Sequence, residues 1–263
     1  MEIPIYQVDA FADRPFAGNP AAVCPLESWL PEDVMQSIAA ENNLSETAFF
    51  VPRGDDFDLR WFTPRAEVDL CGHATLGSAF VVLTRLEPAR ESVTFHTRSG
   101  ALAVERDGDR LAMDFPARPP EAGDVPEGVG AALEAEPAEI LGSRDTLAVF
   151  DTAEEIRALT PDMDRIERLD SFAVCVTAPG TGADDDVDFV SRFFVPAQGI
   201  PEDPVTGSAH STLVPFWAAK LGKNPLRARQ VSSRGGELWC ELRGDRVRIA
   251  GHAVLVMTGT LSF

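Results

Sequence analysis

The chain has 263 residues with 42 acidic and 23 basic side chains, a formal net charge of −19, and 44% hydrophobic residues. That length buries one large core or two smaller ones, and the composition is that of an ordinary globular chain, which excludes disorder. The acidic excess excludes a nucleic-acid partner, because the densest basic stretch, residues 227–234, is too short to neutralise a phosphate backbone.

No apolar run approaches the roughly 18 to 20 residues that cross a bilayer, and the N-terminus has no basic segment ahead of an apolar one, so no membrane association or secretion is expected. Cys24, Cys71, Cys175 and Cys240 are scattered, without a C-x-x-C pair. They read as free thiols of a cytoplasmic protein.

Residues 4–8 alternate as a strand. Residues 31–41 form a helix with Pro31 in its first turn and Asn42-Asn43 as the stop. Strands follow over 47–51 and 57–62, then an apolar helix over about 73–86, then strands over 92–97, 101–105 and 110–115. Residues 116–130, rich in Pro, Gly and Glu, read as a linker. Beyond it the order repeats: a strand at 146–150, a short helix at 153–159, strands at 172–177 and 187–194, a helix at 207–221, and closing strands at 229–233, 237–242 and 246–256. Phe62-Thr63-Pro64 ahead of Gly77-Ser78-Ala79 is echoed by Phe194-Val195-Pro196 ahead of Gly207-Ser208-Ala209. The repetition predicts a duplicated unit.

The helix over 73–86 has no charged residue before Arg85. A helix apolar on all sides must be enclosed on all sides, which a sheet wrapped around it accomplishes. A site is then expected where two such halves meet, near the helix N-termini.

Asp69-Leu70-Cys71-Gly72-His73-Ala74-Thr75 and Glu202-Asp203-Pro204-Val205-Thr206-Gly207-Ser208 stand ahead of the two long helices. Free N–H groups and the positive dipole end can hold an anion there without a lysine. Ordinary capping by Asp69, Thr75, Asp203, Thr206 or Ser208 is the alternative. Glu46 enters an apolar strand, where a carboxylate is costly unless it is paired or serves as a general acid/base; a surface glutamate at a strand edge is the alternative. His73, at a helix N-terminus, is expected to stay largely neutral.

Together, Asp9-Ala10-Phe11, Pro15-Phe16-Ala17-Gly18-Asn19-Pro20-Ala21-Ala22-Val23, Asn43-Leu44-Ser45-Glu46-Thr47-Ala48-Phe49, Cys71-Gly72-His73-Ala74-Thr75 and Glu202-Asp203-Pro204-Val205-Thr206-Gly207-Ser208-Ala209 resemble the PhzF-like family, named for the phenazine-biosynthesis isomerase. The resemblance implies an α+β, diaminopimelate epimerase-like fold, with two similar domains, each a β-sheet rolled around a central helix. The domains are expected at 1–116 and 117–256, with the C-terminal strand near 257–263 free to rejoin the first. It also implies a homodimer with no cofactor, acting on a small carboxylate-bearing substrate; no metal is expected.

Carried onto matching positions, Glu46 is the acid/base that moves a proton between carbons, and His73 and Asp203 complete the catalytic set. Ser208 positions the substrate, Gly72 and Gly207 lend N–H groups to a carboxylate, and Asn19 lines the site. Cys71 resembles one of the paired cysteines of related epimerases and racemases, which leaves a two-base epimerase as one alternative. The second junction offers Asp203-Pro204-Val205 and no thiol, so Cys71 is expected to be a small buried residue. A non-catalytic binding protein of the same fold is the other alternative.

Overall fold

The computed structural model describes residues 1–123 and 125–263. Asp124, inside the expected linker, lies outside the described residues. The chain divides into two compact units, Met1–Asp114 with Ala250–Phe263, and Phe115–Ile249.

In the first unit, β1 (Glu2–Ala10) and β2 (Asn19–Pro25) pair antiparallel. The helix α1 (Glu32–Asn42) then crosses over to β3 (Glu46–Arg53), which lies parallel to β2. β4 (Asp56–Phe62) returns antiparallel, and β5 (Glu67–Val68) is a short ladder on its end. The second crossover helix, α2 (Gly72–Val81), leads to β6 (Ser92–Thr97), parallel to β4. The hairpin strands β7 (Gly100–Asp107) and β8 (Arg110–Pro116) extend the ladder.

The second unit repeats this order. After α3 (Val129–Leu133), β9 (Glu139–Gly142) and β10 (Thr146–Val149) pair antiparallel. Helices α4 (Ala153–Ala158) and α5 (Met163–Glu167) cross to β11 (Val174–Pro179), parallel to β10. β12 (Phe189–Val195) returns antiparallel and carries the short β13 (Ile200–Glu202) at its end. Helix α6 (His210–Leu221) then leads to β14 (Leu226–Gln230), parallel to β12, and β15 (Gly236–Arg243) and β16 (Arg246–Gly251) follow. The chain ends in β17 (Ala253–Ser262), which pairs antiparallel with β1 over its full length. Each unit is thus two strand–helix–strand crossovers, a connection that parallel pairing requires.

The cores explain the order. One face of β3, with Phe49 and Val51, packs with Ile3, Ile5 and Cys24 against Met35 and Ile38 of α1. On the alternate face, Phe50 stacks edge-on to Phe57, 5.0 Å between ring centroids, with Phe95 beside both. Burying each such ring contributes about 1.5–3 kcal/mol. Every residue of α2 except Phe80 is buried, and the helix packs on β1, β2, β3 and β17. Its hydroxyls turn inward onto its own carbonyls, Ser78 Oγ donating to Ala74 O at 2.7 Å, so full burial leaves them satisfied. In the second unit Trp217 of α6 stacks on Phe189 at 5.7 Å, and its Nε1 donates to Thr177 Oγ1 at 2.9 Å.

Several expectations are corrected. Pro31 is the residue before α1 rather than in its first turn. The apolar helix over 73–86 is α-helical only to Val81, and Val82–Leu86 form a π-turn. Residues 246–256 are two strands, broken at His252. The Gly-Ser-Ala match is not an equivalence: Gly77 lies mid-helix in α2, whereas Gly207–Ala209 form a 3₁₀ turn at the start of the second helix. Gly72 and Gly207 are the positions that correspond.

Candidate active site

In the first unit the polar residues gather at the N-terminus of α2. Between β1 and β2 the chain reverses through three left-handed positions, Phe11, Phe16 and Gly18. Buried Asp9 fixes the loop by accepting from the Phe16 N–H at 2.7 Å. Gly18 is obligatory, because a Cβ there would meet Ala10 O at 2.2 Å. The turn delivers Asn19 as the first, fully buried residue of β2. Parallel pairing sets Ala21 opposite Glu46, the first residue of β3.

Glu46 Oε2 lies 3.0 Å from His73 Nε2, and the two side chains are only 13% and 5% exposed. On the other side of the ring, Asn19 Nδ2 is 3.0 Å and Cys71 Sγ 3.5 Å from His73 Nδ1. Cys71 is the N-cap of α2, and no side chain caps the helix. Nor does any side chain cap the 3₁₀ turn at Gly207 or α6. The N-cap residues themselves, Cys71, Thr206 and Ala209, make no side-chain cap bond.

Burial opposes charge on His73, but the charges of Cys71 and Glu46 outweigh it and raise its pKa well above 6.5. At neutral pH the part that persists is Glu46: burial, with Glu46 adding to it, pushes the Cys71 thiol up to about 11, so Cys71 carries no charge there. The expectation of a largely neutral His73 is overturned, because a carboxylate in contact outweighs a helix end. With Asn19 Nδ2 donating to Nδ1, the ring keeps its proton on Nε2, facing Glu46; turning the amide over offers Nδ1–H an acceptor and admits the imidazolium. In both cases Nε2 faces Glu46 Oε2 at 3.0 Å. His210 is the contrast: fully buried beside the Thr206 carbonyl, with no carboxylate partner among the described residues, it is pushed down to about 4 by burial.

The donor atoms of Glu46, Cys71 and His73 lie within 4.8 Å of one another, a set with metal-ligand chemistry. A cation would have to displace the protons of both the thiol and the imidazole to be held there.

Asp203, Gly207 and Ser208 belong to the second unit. Asp203 accepts from Thr206 Oγ1 at 2.5 Å, and its carbonyl accepts from Gln230 Nε2 at 2.6 Å. Gln230 Oε1 accepts from the Thr206 N–H at 2.8 Å, so one buried glutamine locks the turn ahead of Gly207. Ser208 Oγ is 3.4 Å from Nη2 of Arg144, which chelates Asp145 through Nε and Nη2 at 2.7 and 2.8 Å. Sequence reading missed Thr206 and Gln230 as supports of Asp203, and Arg144 at Ser208. Thr206 stands in the quoted motif, but Gln230 and Arg144 are 24 and 64 residues from their partners, beyond any local pattern.

A family model described as phenazine biosynthesis-like protein matches residues 8–259. The chain belongs to the phenazine biosynthesis-like family. An uncharacterized isomerase of Pseudomonas aeruginosa is 54% identical over 99% of both chains. The crystal structure of a PhzF-family phenazine biosynthesis protein from Enterococcus faecalis superposes with a TM-score of 0.96 at 48% identity, covering all of both chains. A hydroxyproline epimerase from Agrobacterium vitis, at 11% identity and a TM-score of 0.62 over 99% of this chain and 91% of its own, shares the fold alone. The chain is thus an isomerase of the phenazine biosynthesis-like family, built on the diaminopimelate epimerase-like α+β fold. Among the described residues no helix is long and apolar enough to cross a membrane.

Proposed function

We propose that this isomerase moves a proton within a small carboxylate-bearing substrate without a cofactor, with Glu46 as the single acid/base. The observation that carries the reading is the enclosed Glu46–His73 contact at 3.0 Å. Glu46 takes a proton from an acidic carbon, and the electron pair of that bond moves into the conjugated system of the substrate. The Glu46 carboxyl then returns the proton to another carbon, so no electrons enter or leave. His73 Nε2 stands 3.0 Å from the carboxylate and steadies it by charge, and Asn19 fixes the ring from the far side. In the first unit the start of α2 at Gly72 offers N–H groups to a substrate carboxylate, and in the second unit Asp203, Gly207 and Ser208 are the positions that match the family's remaining site residues.

A thiol pushed up to about 11 is a poor base at neutral pH, which disfavours the two-base alternative through Cys71. The family resemblance adds a homodimer to this reading, which light scattering on the purified protein would check.

The test incubates the protein in deuterium oxide with small carboxylates that carry an acidic carbon–hydrogen bond, followed by proton NMR. The wild type should incorporate deuterium or shift a double bond in at least one of them, and Glu46→Gln should slow that reaction by about 10² to 10⁴. A Glu46→Gln protein as fast as wild type would end the single-base reading.

A further inference from the structure

The second unit handles its arginines in a consistent way. Arg157 is paired with Asp184, Arg192 with Glu202, and Arg227 and Arg229 with Glu237. With 42 acids to 23 bases in the chain, a partner is rarely far away. Arg118 departs from this pattern. It is half-buried, yet among the described residues its guanidinium has no hydrogen bond or ion pair.

Its backbone is held firmly. Arg118 N–H donates to Ser211 O of α6 at 2.8 Å, and its carbonyl accepts from Ser143 Oγ at 3.5 Å, a hydroxyl that also lies 3.3 Å from Thr212 Oγ1. These bonds tie Arg118 between the first turn of α6 and the loop that carries Arg144. Burial and the neighbouring Arg144 charge both disfavour its protonated form, with Asp145 opposing them. Arg144 is fixed in plane by Asp145 and by the Phe172 ring, 4.7 Å from its guanidinium carbon. Its Nη1 makes no hydrogen bond among the described residues, and Phe172 is 44% exposed. Arg118 is thus anchored at Ser143, the residue before Arg144, and Arg144 itself stands 3.4 Å from Ser208 Oγ with Asp145 as its carboxylate partner.

We propose that Arg118 and Arg144, with Ser208 Oγ, form a subsite for a carboxylate group of the ligand, and that Phe172 takes the apolar body attached to it. The inference rests on reading Ser208 as a substrate-binding residue. Like charges held together in a half-buried place are unfavourable until an anion arrives, and a guanidinium edge matches a carboxylate through paired N–H donors.

Isothermal titration of the full chain with benzoate, and with benzamide as its neutral counterpart, tests this by binding alone, so the outcome is independent of Glu46 chemistry. Benzoate should bind at least tenfold more tightly than benzamide at low ionic strength. Arg118→Gln should weaken benzoate by about tenfold, the size of one lost charge-assisted pair, and leave benzamide unchanged. Arg144→Lys, which keeps the charge but loses the fork, should also weaken benzoate. Circular dichroism melts establish that each variant is folded, and should Arg118→Gln unfold, the benzoate preference and Arg144→Lys decide. Equal affinity for the two ligands, or a folded Arg118→Gln protein with wild-type benzoate affinity, overturns the proposal.

Discussion

Replacing Glu46 by Gln should reverse the way His73 responds to pH. Two unit charges 3.0 Å apart attract by about 5.5 kcal/mol at an effective dielectric of about 20, and taking both out of water offsets part of this. Removing one partner of such a buried pair costs about 3–5 kcal/mol. In the wild type the folded pKa of His73 lies above the unfolded value of about 6.5. The pair's contribution to stability is therefore fully present below about pH 6.5 and is lost as pH rises through the folded value.

In Glu46→Gln only burial acts strongly on the ring, as it does on His210, and the folded pKa drops below the unfolded one. The contribution of His73 is then present above about pH 6.5 and lost as pH falls. Two-dimensional NMR of ¹³C-histidine-labelled protein reads the titration directly, and urea unfolding at a series of pH values reads the energy. The destabilisation at pH 6 should be about 3 kcal/mol and should shrink as pH rises through the wild-type titration of His73. Identical His73 titrations in the two proteins, or a stability difference that does not change with pH, would refute the assignment of the shift to Glu46.

Cys71→Ala should keep deuterium exchange within a few-fold of wild type, because the thiol is protonated at neutral pH; a loss as large as that of Glu46→Gln, with the fold intact by circular dichroism, would return the two-base epimerase. Gly18→Ala should destabilise by more than about 2 kcal/mol in urea unfolding, combining a left-handed backbone with a methyl 2.2 Å from the Ala10 carbonyl oxygen. Wild-type stability in that variant would show that the turn ahead of Asn19 adapts freely.

Most of the architecture was legible because it is written locally. Alternation marked β1, β-rich runs marked β3, β4, β6, β7 and β8, the apolar run marked α2, and the repeated order marked two similar units. What escaped depends on long-range pairing. β2 begins Asn19-Pro20 and ends at Pro25, a composition that reads as turn, yet it runs between β1 and β3 with both prolines near its ends, where proline is tolerated in a sheet. Gly251 stands directly before the break at His252, but a lone glycine within an apolar run reads as part of one continuous strand. Arg118 meets Ser211 of α6, and Arg144 meets Ser208 just ahead of it, from about 90 and 65 residues away in sequence, and only the folded ladder brings them there.

The case of His73 shows why a local argument can be correct and still lose. A helix N-terminus disfavours a cation by about 0.3–1 kcal/mol, and that effect operates at α2. The strand order adds what position 73 alone cannot reveal: β3 lies parallel to β2, so its first residue, Glu46, is brought beside the start of α2 and touches His73 Nε2 at 3.0 Å. Even with most of its Coulomb energy cancelled by desolvation, a contact of that length exceeds the dipole term several-fold. The strand order thus sets the His73 ring against the Glu46 carboxyl before any substrate arrives, which is the placement the proposed single acid/base needs.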